Sequence, residues 1–393
     1  MRIVHIITRL ILGGAQENTL ITCRLLAQRG HDVTLITGPA LGPEGDLYAQ
    51  ASNQPFELII LNCLRRPINP ARDVSAYFKI KKLLRQIKPD IVHTHSAKAG
   101  VLGRFAAYKL KTKSGSTLPI VVHTIHGLAF HPYQSRFLNN FYIAVEKAAA
   151  RRTDFFFSVA NAMTRQAIAA ELASADKFLT AYSAIDEDDF LSPIGDERRM
   201  QFRKRYKIAK DAVVLVTIAR LFHLKGHNYI IESAKQLARR FDNAIWLFVG
   251  DGILADKYKH QIKQAGLEDR FRFTGLLPPA EIPAVIQACD ILVHCSLREG
   301  LARTLPQAML CGKAVISFAL DGAPEVVNEN TGRLVEPENV KQLTNSCSEL
   351  IQNTALRERL GKAGREFVSQ KFKPEQMVDR IESVYNKLKD AEQ

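Results

Sequence analysis

The sequence predicts two doubly wound α/β domains, each built on a parallel sheet. Three observations carry this prediction. At 393 residues the chain is too long for a single hydrophobic core. Short β-branched runs alternate with amphipathic segments, and this alternation stops in a polar stretch and then restarts. Continuous apolar runs of this kind are typical of strands that are buried on both faces of a parallel sheet.

The predicted strands fall into two groups. The first group is RIVHIIT, DVTLIT, ELIIL, DIVHTH, PIVVHT and DFFFSVA. After the polar stretch at 186–206 the second group follows: AVVLVTIAR, AIWLFVGD, RFRFTG, CDILVHC and KAVISF. We therefore predict two Rossmann-like domains, over 1–190 and 191–373, with a linker near 187–196.

A final helix is predicted to begin near Pro374, because proline suits a first helical turn. It extends over 374–393 and is free to pack back on the first domain. Ligands of open parallel sheets bind at the carboxyl ends of the strands, and two such sheets facing each other leave a cleft. The chemistry is therefore expected just after strands.

Composition indicates a soluble or peripheral cytoplasmic protein. Hydrophobic residues make up 46% of the chain, and no apolar stretch approaches the roughly 18 residues that span a bilayer. The six cysteines show no Cys-x-x-Cys spacing and lie mostly in apolar segments, which is typical of reduced core thiols and argues against zinc.

The positive charge is concentrated in the first half of the chain. Residues 1–180 carry 23 Lys and Arg against 11 Asp and Glu, whereas the remainder carries 31 against 29. Such asymmetry suggests an acidic partner: an anionic membrane surface, a phosphorylated acceptor or nucleic acid. Nucleic acid is the weakest of these, because no recognised binding motif is present.

A basic helix is predicted around KIKKLLRQIK, at 79–88. One face is expected to carry the apolar residues Phe78, Ile80, Leu83, Leu84 and Ile87. An ordinary core-covering helix explains this pattern first, and contact with a membrane is the alternative.

Two segments are candidates for binding a phosphate. Gly13 and Gly14 follow the first strand and precede a helix, where glycines allow close backbone approach, although such pairs are often only turns. The full G-x-G-x-x-G fingerprint of dinucleotide enzymes is missing. Arg220 follows a strand and Lys225 lies five residues later, so the two cations suit a diphosphate. Solvated surface charge is the alternative for this pair.

Four histidines, at 93, 95, 123 and 126, follow or end two predicted strands. Four imidazoles near one rim can form a metal site, but no carboxylate or thiol lies at ligand spacing. Satisfied core or capping histidines are therefore the first interpretation, and no metal is predicted. His126 stands out, because Gly127 lets a ligand approach beside its imidazole.

Glu299 and Gln307 are separated by eight positions in SLREGLARTLPQAMLCGKAVI. Eight residues are about two helical turns, so both side chains can face one site.

Taken together, these segments resemble the retaining glycosyltransferases of family four, which have the glycosyltransferase-B (GT-B) fold of two Rossmann-like domains. The resemblance covers essentially the whole chain. It is carried by the Gly13–Gly14 loop, VHTHSAKAG, HTIHG, IARLFHLKG, FVGDG, FTGL and a segment similar to the family's E-x7-E motif.

The resemblance implies a role for each position. Arg220 and Lys225 match the pair that holds the nucleotide diphosphate, while His126 and Glu299 match residues that face the donor sugar; these four are the candidate catalytic residues. Gln307 stands where the family usually has a second glutamate, the ligand of the ribose. The other nucleotide-binding positions implied are Gly13, Gly14, Gly250, Thr274, Gly275, Leu276, Gly300, Leu301, Ala302 and Arg303.

The implied activity is metal-independent transfer of a sugar, with retention, from a nucleotide diphosphate sugar, most simply a UDP-sugar. The sugar nucleotide is a substrate, and no cofactor is expected. The first domain would bind the acceptor, which is a glycan, a lipid-linked molecule or another hydroxyl compound, at the cytoplasmic membrane face or in the cytoplasm. Two alternatives stay open: a nucleotide-sugar 2-epimerase-like enzyme and, given Gln307, a non-catalytic nucleotide-sugar-binding protein.

Overall fold

The computed structural model describes residues 1–42, 45–114 and 118–391. The strands in chain order are β1 (Arg2–Ile7), β2 (Asp32–Thr37), β3 (Glu57–Ile60), β4 (Ile91–His95), β5 (Ile120–Ile125), β6 (Phe155–Ser158), β7 (Phe178–Thr180), β8 (Val213–Ile218), β9 (Ala244–Val249), β10 (Phe271–Gly275), β11 (Ile291–His294), β12 (Ala314–Phe318) and β13 (Gly332–Val335).

The helices connect these strands. In chain order they are α1 (Gly14–Gln28), α2 (Tyr48–Ser52), α3 (Pro70–Ile87), α4 (Ala97–Ser114), α5 (Arg136–Ala150), α6 (Asn161–Ala169), α7 (Asp188–Leu191), α8 (Asp196–Arg205), α9 (His227–Leu237), α10 (Ala255–Gln264), α11 (Ile282–Ala288), α12 (Thr304–Leu310), α13 (Val340–Gln352), α14 (Thr354–Lys371) and α15 (Pro374–Asp390). Short 3₁₀ turns lie at Ala175–Lys177, Glu268–Arg270, Pro279–Glu281 and Ala323–Glu325.

Two parallel sheets organise the chain. The first has the order β3-β2-β1-β4-β5-β6-β7, and the second has the order β10-β9-β8-β11-β12-β13. The strand order reverses between β1 and β4 in the first sheet and between β8 and β11 in the second. Ligands of such sheets bind at the carboxyl ends of the strands at this reversal. The predicted fold class of two Rossmann-like α/β domains is confirmed.

All the predicted strands form, and two further strands were missed. These are the edge strands β7 and β13, which have three and four residues. All three residues of β7 and the middle two of β13 are only half-buried. Because these two short strands bury little apolar surface, neither has the apolar pattern by which the other two edge strands, β3 and β10, were predicted.

Each face of the first sheet packs on its own helices. Alternate side chains of β1 point to opposite faces, so Ile3 packs with α1 and α15 while Val4 packs with α3 and α4. Each side therefore has its own buried cluster, and the polar residues of β1 and β4 that also point inward must find partners within the sheet.

The chain divides into two compact units, and the boundary lies earlier than predicted. Unit 1 comprises Met1–Ala184 and the segment from Pro374 onward, and unit 2 comprises Ile185–Lys373. The predicted linker at 187–196 lies in unit 2, where Phe190 is buried and the Ile194 N–H donates to Oε1 of Gln287 at 3.0 Å. The correction has a simple cause, since a polar surface segment resembles a linker in sequence.

The helix α15 starts at Pro374 as predicted and packs with unit 1. Its buried residues Met377 and Ile381 join the same apolar cluster as α1. Glu382 binds Nη1 of Arg29 at 2.6 Å and Nε2 of His31 at 2.8 Å. The helix ends at Asp390, and residues 392–393 of the predicted range lie outside the described residues.

The Tyr385 hydroxyl is expected to stabilise unit 1. It lies 2.5 Å from Nδ1 of the buried His93. Tyr385→Phe leaves this nitrogen without its partner, which should cost about 1–3 kcal/mol of unfolding free energy and lower the urea midpoint. Tyr77→Phe is the control, because the Tyr77 hydroxyl has no hydrogen bond among the described residues. An unchanged midpoint in Tyr385→Phe would contradict the stabilising role.

Candidate functional site

The ends of β8, β9 and β10 form one side of the candidate site in unit 2. The loop that carries Arg220 continues from β8, and the N–H of Leu221 donates to the carbonyl oxygen of Asp251 at 3.0 Å. The N–H of Gly250 donates to the carbonyl oxygen of Gly275, also at 3.0 Å. Three strand ends are thereby held side by side, next to the predicted diphosphate-binding arginine.

Gly250 has a glycine-specific conformation. Its φ is 131°, and a Cβ built there would lie 2.3 Å from the carbonyl oxygen of Ala219. A side chain would therefore push the Arg220 loop away from β9.

The loop after β10 contains the predicted nucleobase-side residues. Thr274 donates its hydroxyl to the carbonyl oxygen of Gly275 at 2.8 Å, and Leu276 is 42% exposed. The loop thus presents one apolar side chain to solvent beside the site.

Lys225 meets Glu299 directly. Gly226, which precedes α9, has φ of 75°, and its Cα lies so close to the carbonyl group of Cys295 that no Cβ would fit. The N–H of Leu297 also donates to the carbonyl oxygen of Leu224 at 2.8 Å. These contacts bind the Lys225 loop to the end of β11, and the Lys225 ammonium donates a short hydrogen bond to Oε1 of Glu299.

Glu299 is held as a carboxylate. Its side chain is 24% exposed, and its N–H donates to Oδ2 of Asp321 at 2.7 Å. Burial acts to raise the pKa of Glu299, but the charge and hydrogen bond of Lys225 outweigh burial, and the pKa is lowered. An ionised carboxylate with a fixed backbone can accept hydrogen bonds from sugar hydroxyls.

His294 and Asp321 were missed by the sequence analysis. Nε2 of His294 lies 3.6 Å from Oε1 of Glu299, and no described residue is hydrogen-bonded to it. Burial lowers the pKa of His294 to about 4, so the ring is neutral. Together with Ser296 and Ser317 these side chains line a small pocket beside Glu299. A histidine inside the apolar run CDILVHC was the available signal for His294, whereas nothing in the sequence marked Asp321.

The loop after Glu299 leads into the short helix α12. The carbonyl oxygen of Gly300 accepts from the N–H of Gly322 at 3.0 Å. The following residues are buried, with 6–9% of their surface exposed: Leu301, Ala302 and Arg303. No side chain caps α12, whose N-cap residue is Arg303.

Gln307 lies on α12 and is 9% exposed. Within the described ranges, its side-chain amide makes no hydrogen bond to the protein. A buried polar group is normally paired, so an amide without a protein partner is suited to a ligand.

The glycine loop of unit 1 precedes α1 as predicted. The carbonyl oxygen of Gly13 accepts from the N–H of Gln16 at 3.1 Å, and α1 begins at Gly14. Gly13 is extended, and a Cβ there would meet only the flexible end of the Gln16 side chain. Packing therefore does not explain why residue 13 is glycine.

His126 follows β5 and is linked to the interior of unit 1. Its Nε2 lies 3.0 Å from Nδ1 of His95, and Nε2 of His95 lies 2.9 Å from Nδ1 of His5. His123 makes a separate bond of 2.9 Å to the hydroxyl of Thr94. His5 was not among the predicted site residues, although its position inside the run RIVHIIT was a signal.

Most ring nitrogens of His5, His93 and His95 are hydrogen-bonded to protein partners, and Nε2 of His5 has none among the described residues. His5, His93 and His95 have potential ligand atoms within 4.8 Å of one another, as a metal site requires. Both nitrogens of His95 are bonded to other imidazoles, and Nε2 of His93 lies 2.6 Å from the Thr124 hydroxyl. The arrangement therefore fits a hydrogen-bonded cluster better than a metal centre.

Comparison with known proteins covers both units. The sequence model of the family "Glycosyltransferase Family 4" matches residues 12–189, and that of "Glycosyl transferases group 1" matches residues 198–367. The chain is 28% identical to UDP-Gal:alpha-D-GlcNAc-diphosphoundecaprenol alpha-1,3-galactosyltransferase of Escherichia coli, over 98% of this chain and 96% of that protein. It is 25% identical to N-acetyl-alpha-D-glucosaminyl L-malate synthase of Bacillus anthracis, over 92% and 90% of the two chains.

The fold also matches solved structures. Anabaena Alr3699/HepE in complex with UDP and glucose superposes with a TM-score of 0.82 at 20% identity, over 98% of this chain and 99% of that chain. The two family matches together span nearly the whole sequence and fall one on each half. The chain therefore belongs to the family 4 glycosyltransferases of the GT-B fold.

Proposed function

We propose that this glycosyltransferase moves a sugar, with retention and without a metal ion, from a UDP-sugar to a hydroxyl group of a lipid-linked or glycan acceptor. The observation that carries the proposal is the pairing of Lys225 with Glu299 at the reversal of strand order between β8 and β11, with Arg220 on the same loop after β8 as Lys225. Cations and a carboxylate at one strand edge match a diphosphate joined to a polyhydroxyl sugar.

In this proposal Arg220 and Lys225 stabilise the leaving group. The diphosphate carries the charge that develops when the bond to the sugar breaks, and fixed cations stabilise such charge strongly in a partly enclosed site. To bind a phosphate, Lys225 has to exchange its hydrogen bond to Glu299 for one to the ligand. This exchange frees Glu299 to bind the sugar hydroxyls. Binding of the donor therefore brings about both the contact of Lys225 with the phosphate and the contact of Glu299 with the sugar.

The proposal that the reaction retains configuration and needs no metal ion is based on the family resemblance and on the charged side chains of Arg220, Lys225 and Glu299. Asp321 accepts from the backbone N–H of Glu299 and fixes the main chain there, which suits a carboxylate that contacts the sugar and not one that attacks it. The acceptor oxygen would then attack from the leaving-group face and pass its proton to the departing phosphate. The cations take the place that a divalent ion has in other phosphate-transferring sites.

A donor panel tests the proposed reaction. The protein is incubated with UDP-, GDP-, ADP- and dTDP-sugars, a lipid-diphosphate glycan acceptor and EDTA. We expect release of UDP and an α-linked product from an α-donor. A β-linked product would exclude retention, loss of turnover with EDTA would exclude metal independence, and a changed free sugar without transfer would favour an epimerase.

UDP is favoured by two relatives. The E. coli relative is named for UDP-Gal, and the Anabaena structure contains UDP. The E. coli protein is also named for an acceptor linked to diphosphoundecaprenol, which is why a lipid-linked acceptor is proposed here. Among the described helices, none is long and apolar enough to cross a membrane.

Two features of unit 1, its positive charge and its exposed aromatic side chains, support contact with an anionic membrane. Besides its excess of basic residues, α5 exposes Phe137 by 87% and Phe141 by 54%, one helical turn apart. Phe78, which was expected on the apolar face of α3, is 60% exposed. Exposed aromatic residues beside Lys and Arg are typical of interfacial contact.

Anionic vesicles are therefore expected to bind the protein. The bound fraction should fall as salt rises from 0.1 M, where the Debye length is about 10 Å, towards 1 M, where it is about 3 Å. Neutral vesicles are the control. Binding that is absent, or equal on neutral and anionic vesicles, would favour a soluble acceptor.

Gln307 is expected to bind the ribose. A glutamate accepts from two hydroxyls, whereas a glutamine accepts through oxygen and donates through nitrogen, so the amide should cost roughly 1 kcal/mol and not the whole site. Gln307→Glu should preserve turnover and tighten UDP binding modestly, and Gln307→Ala should weaken it. Isothermal titration with UDP measures both. Unchanged affinity in Gln307→Ala would place the ribose elsewhere and favour a non-catalytic protein.

A further inference from the structure

His294, the last residue of β11, has a buried ring nitrogen without a hydrogen bond. The residue is 6% exposed, and its Nε2 has no partner among the described residues. This nitrogen lies 3.6 Å from Oε1 of Glu299, which is beyond the range of about 2.7–3.2 Å in which such bonds form. Since buried polar groups are normally paired, an imidazole that stops just short of a carboxylate points to a second arrangement of the site.

Lys225 explains the gap, because it occupies the same carboxylate oxygen. Its ammonium donates a hydrogen bond to Oε1 of Glu299. The two donors approach this oxygen from different elements, Lys225 from the loop before α9 and His294 from β11. Asp321 accepts from the backbone N–H of Glu299 at 2.7 Å, so a change of partner needs only the Glu299 side chain to turn.

The charge of Glu299 decides the tautomer of His294. Burial lowers the pKa of His294 to about 4, and the resulting neutral imidazole has one N–H and one bare nitrogen. A bare Nε2 would direct its lone pair at an ionised oxygen, whereas an N–H at this position is attracted to it. The proton therefore belongs on Nε2, which makes this nitrogen a hydrogen-bond donor.

Loss of the Lys225 contact would leave Glu299 in need of another donor. Burial acts to raise the pKa of Glu299, whereas Lys225, His294 and Ser296 all lower it. Without Lys225, the effect of burial remains and the largest opposing effect is gone. A hydrogen bond to the charged form of a carboxylate favours that form, so an approach of the His294 N–H would offset part of the loss.

We propose that His294 is a positioning residue whose Nε2–H binds Oε1 of Glu299 when Lys225 turns to the diphosphate. The distance between the two atoms has to shorten by only about 0.5 Å to reach that of an ordinary hydrogen bond. The carboxylate then keeps its charge and its orientation, and its second oxygen is left for a sugar hydroxyl. The inference rests on the proposed function for the movement of Lys225 and for the contact of Glu299 with the sugar.

The bond between His294 and Glu299 can be observed by NMR on the full chain. The protein is labelled with ¹⁵N-histidine, His294 is assigned by comparison with His294→Gln, and two-bond ¹H–¹⁵N correlations identify the protonated nitrogen. We expect the proton on Nε2 in the free protein. Saturating UDP should shift this proton to lower field, as a new hydrogen bond to a carboxylate does. A proton on Nδ1 with a bare Nε2 would overturn the inference.

Lys225→Ala imitates the proposed arrangement without any ligand. The variant leaves Oε1 of Glu299 without its ammonium, so His294 should bind this oxygen already in the free protein. Its Nε2 proton should then lie at lower field than in wild type. Lys235→Ala removes an exposed lysine of the same unit and should leave the signal at its wild-type position. An unshifted signal in Lys225→Ala would overturn the inference.

The affinity for UDP gives a second test, because the new bond forms only when UDP displaces Lys225 from Glu299. His294→Phe should weaken UDP binding roughly tenfold, the effect of losing one hydrogen bond to a charged group. In the Lys225→Ala background the bond is present before and after binding, so the same substitution should change the Kd less than about twofold. Isothermal titration of the four proteins measures this coupling. Equal weakening in both backgrounds would indicate a merely structural role and overturn the inference.

Two further variants separate the lost donor from a disturbed core. His294→Gln keeps an N–H donor on a side chain of similar reach and should bind UDP nearly as wild type does. His227→Phe is the matched control, because His227 is 0% exposed in the same unit and neither of its ring nitrogens has a partner among the described residues. Its ring packs on Phe248 and Tyr258, and the variant should also bind UDP as wild type does.

The two proposals fail separately. If the His294 proton shifts in Lys225→Ala but not on addition of UDP, the assignment of Lys225 to the diphosphate is wrong, whereas the pairing of His294 with Glu299 stands. A shift in both experiments without sugar transfer from any donor contradicts the proposed function alone. An unshifted proton in Lys225→Ala of an active transferase contradicts the role of His294 alone. Should His294→Phe not fold, the spectra of wild type and Lys225→Ala still decide the question.

Discussion

Replacing Lys225 or Arg220 by alanine is expected to lower kcat/KM for the sugar nucleotide by roughly 30- to 1,000-fold. Removing a cation from a partly enclosed phosphate site costs about 2–4 kcal/mol, and each 1.4 kcal/mol is about a factor of ten. Steady-state kinetics with the donor identified by the panel measure the loss. The affinity for UDP itself should fall as well, because both residues are assigned to the diphosphate.

A surface lysine on α9 provides the control. Lys235 pairs with Glu232 at 2.7 Å, and both side chains are more than a third exposed. Lys235→Ala removes the same charge from the same unit and should leave kcat/KM unchanged. Wild-type kinetics in Lys225→Ala and Arg220→Ala would show that the diphosphate is bound by other residues.

Glu299→Gln is expected to reduce kcat by roughly 10- to 150-fold while changing the affinity for UDP much less. The substitution keeps the shape but removes the charge, and a hydrogen bond to a charged group is worth about 1.5–3 kcal/mol. UDP lacks the sugar, so a residue that contacts only the sugar should affect its binding little. Glu232→Gln is the matched control, with the same chemical change at an exposed position of unit 2. Equal losses in kcat and in UDP affinity would reassign Glu299 to the nucleotide.

The pH dependence gives a second measurement for Glu299. Because the pKa of Glu299 is lowered from its ordinary value of 4.5, the carboxylate stays ionised at pH values somewhat below 4.5. The contribution of its charge to activity is therefore lost only as the pH falls through this lowered pKa. In Lys225→Ala the opposing effect of burial remains, so the acid limb of the residual activity should move to higher pH. An acid limb at the same pH in both proteins would contradict the ion pair.

Central parts of the fold were predictable because their physical cause is local. A strand buried on both faces is mostly apolar, and every run predicted on this basis became a strand. The edge strands β7 and β13 bury less surface and leave no such run. The domain boundary was misplaced, because the polarity of 187–196 reflects a solvent-exposed side of unit 2 and not a connection between units.

The candidate site was predictable as residue types but not as contacts. Lys225 and Glu299 were both chosen, yet their pairing joins positions 74 residues apart and depends on how the Gly226 loop packs against β11. His294 and His5 were missed since each sits inside an apolar strand, where a histidine is usually a core residue. Asp321 accepts a hydrogen bond from the backbone N–H of Glu299, and no sequence pattern predicts such a bond.

A crystal structure of the protein with UDP tests the central claim most directly. We predict the diphosphate at the ends of β8 and β11, with Lys225 bonded to a phosphate oxygen and no longer to Glu299, and with the Gln307 amide on the ribose. UDP bound elsewhere, with the hydrogen bond between Lys225 and Glu299 intact, would contradict the account.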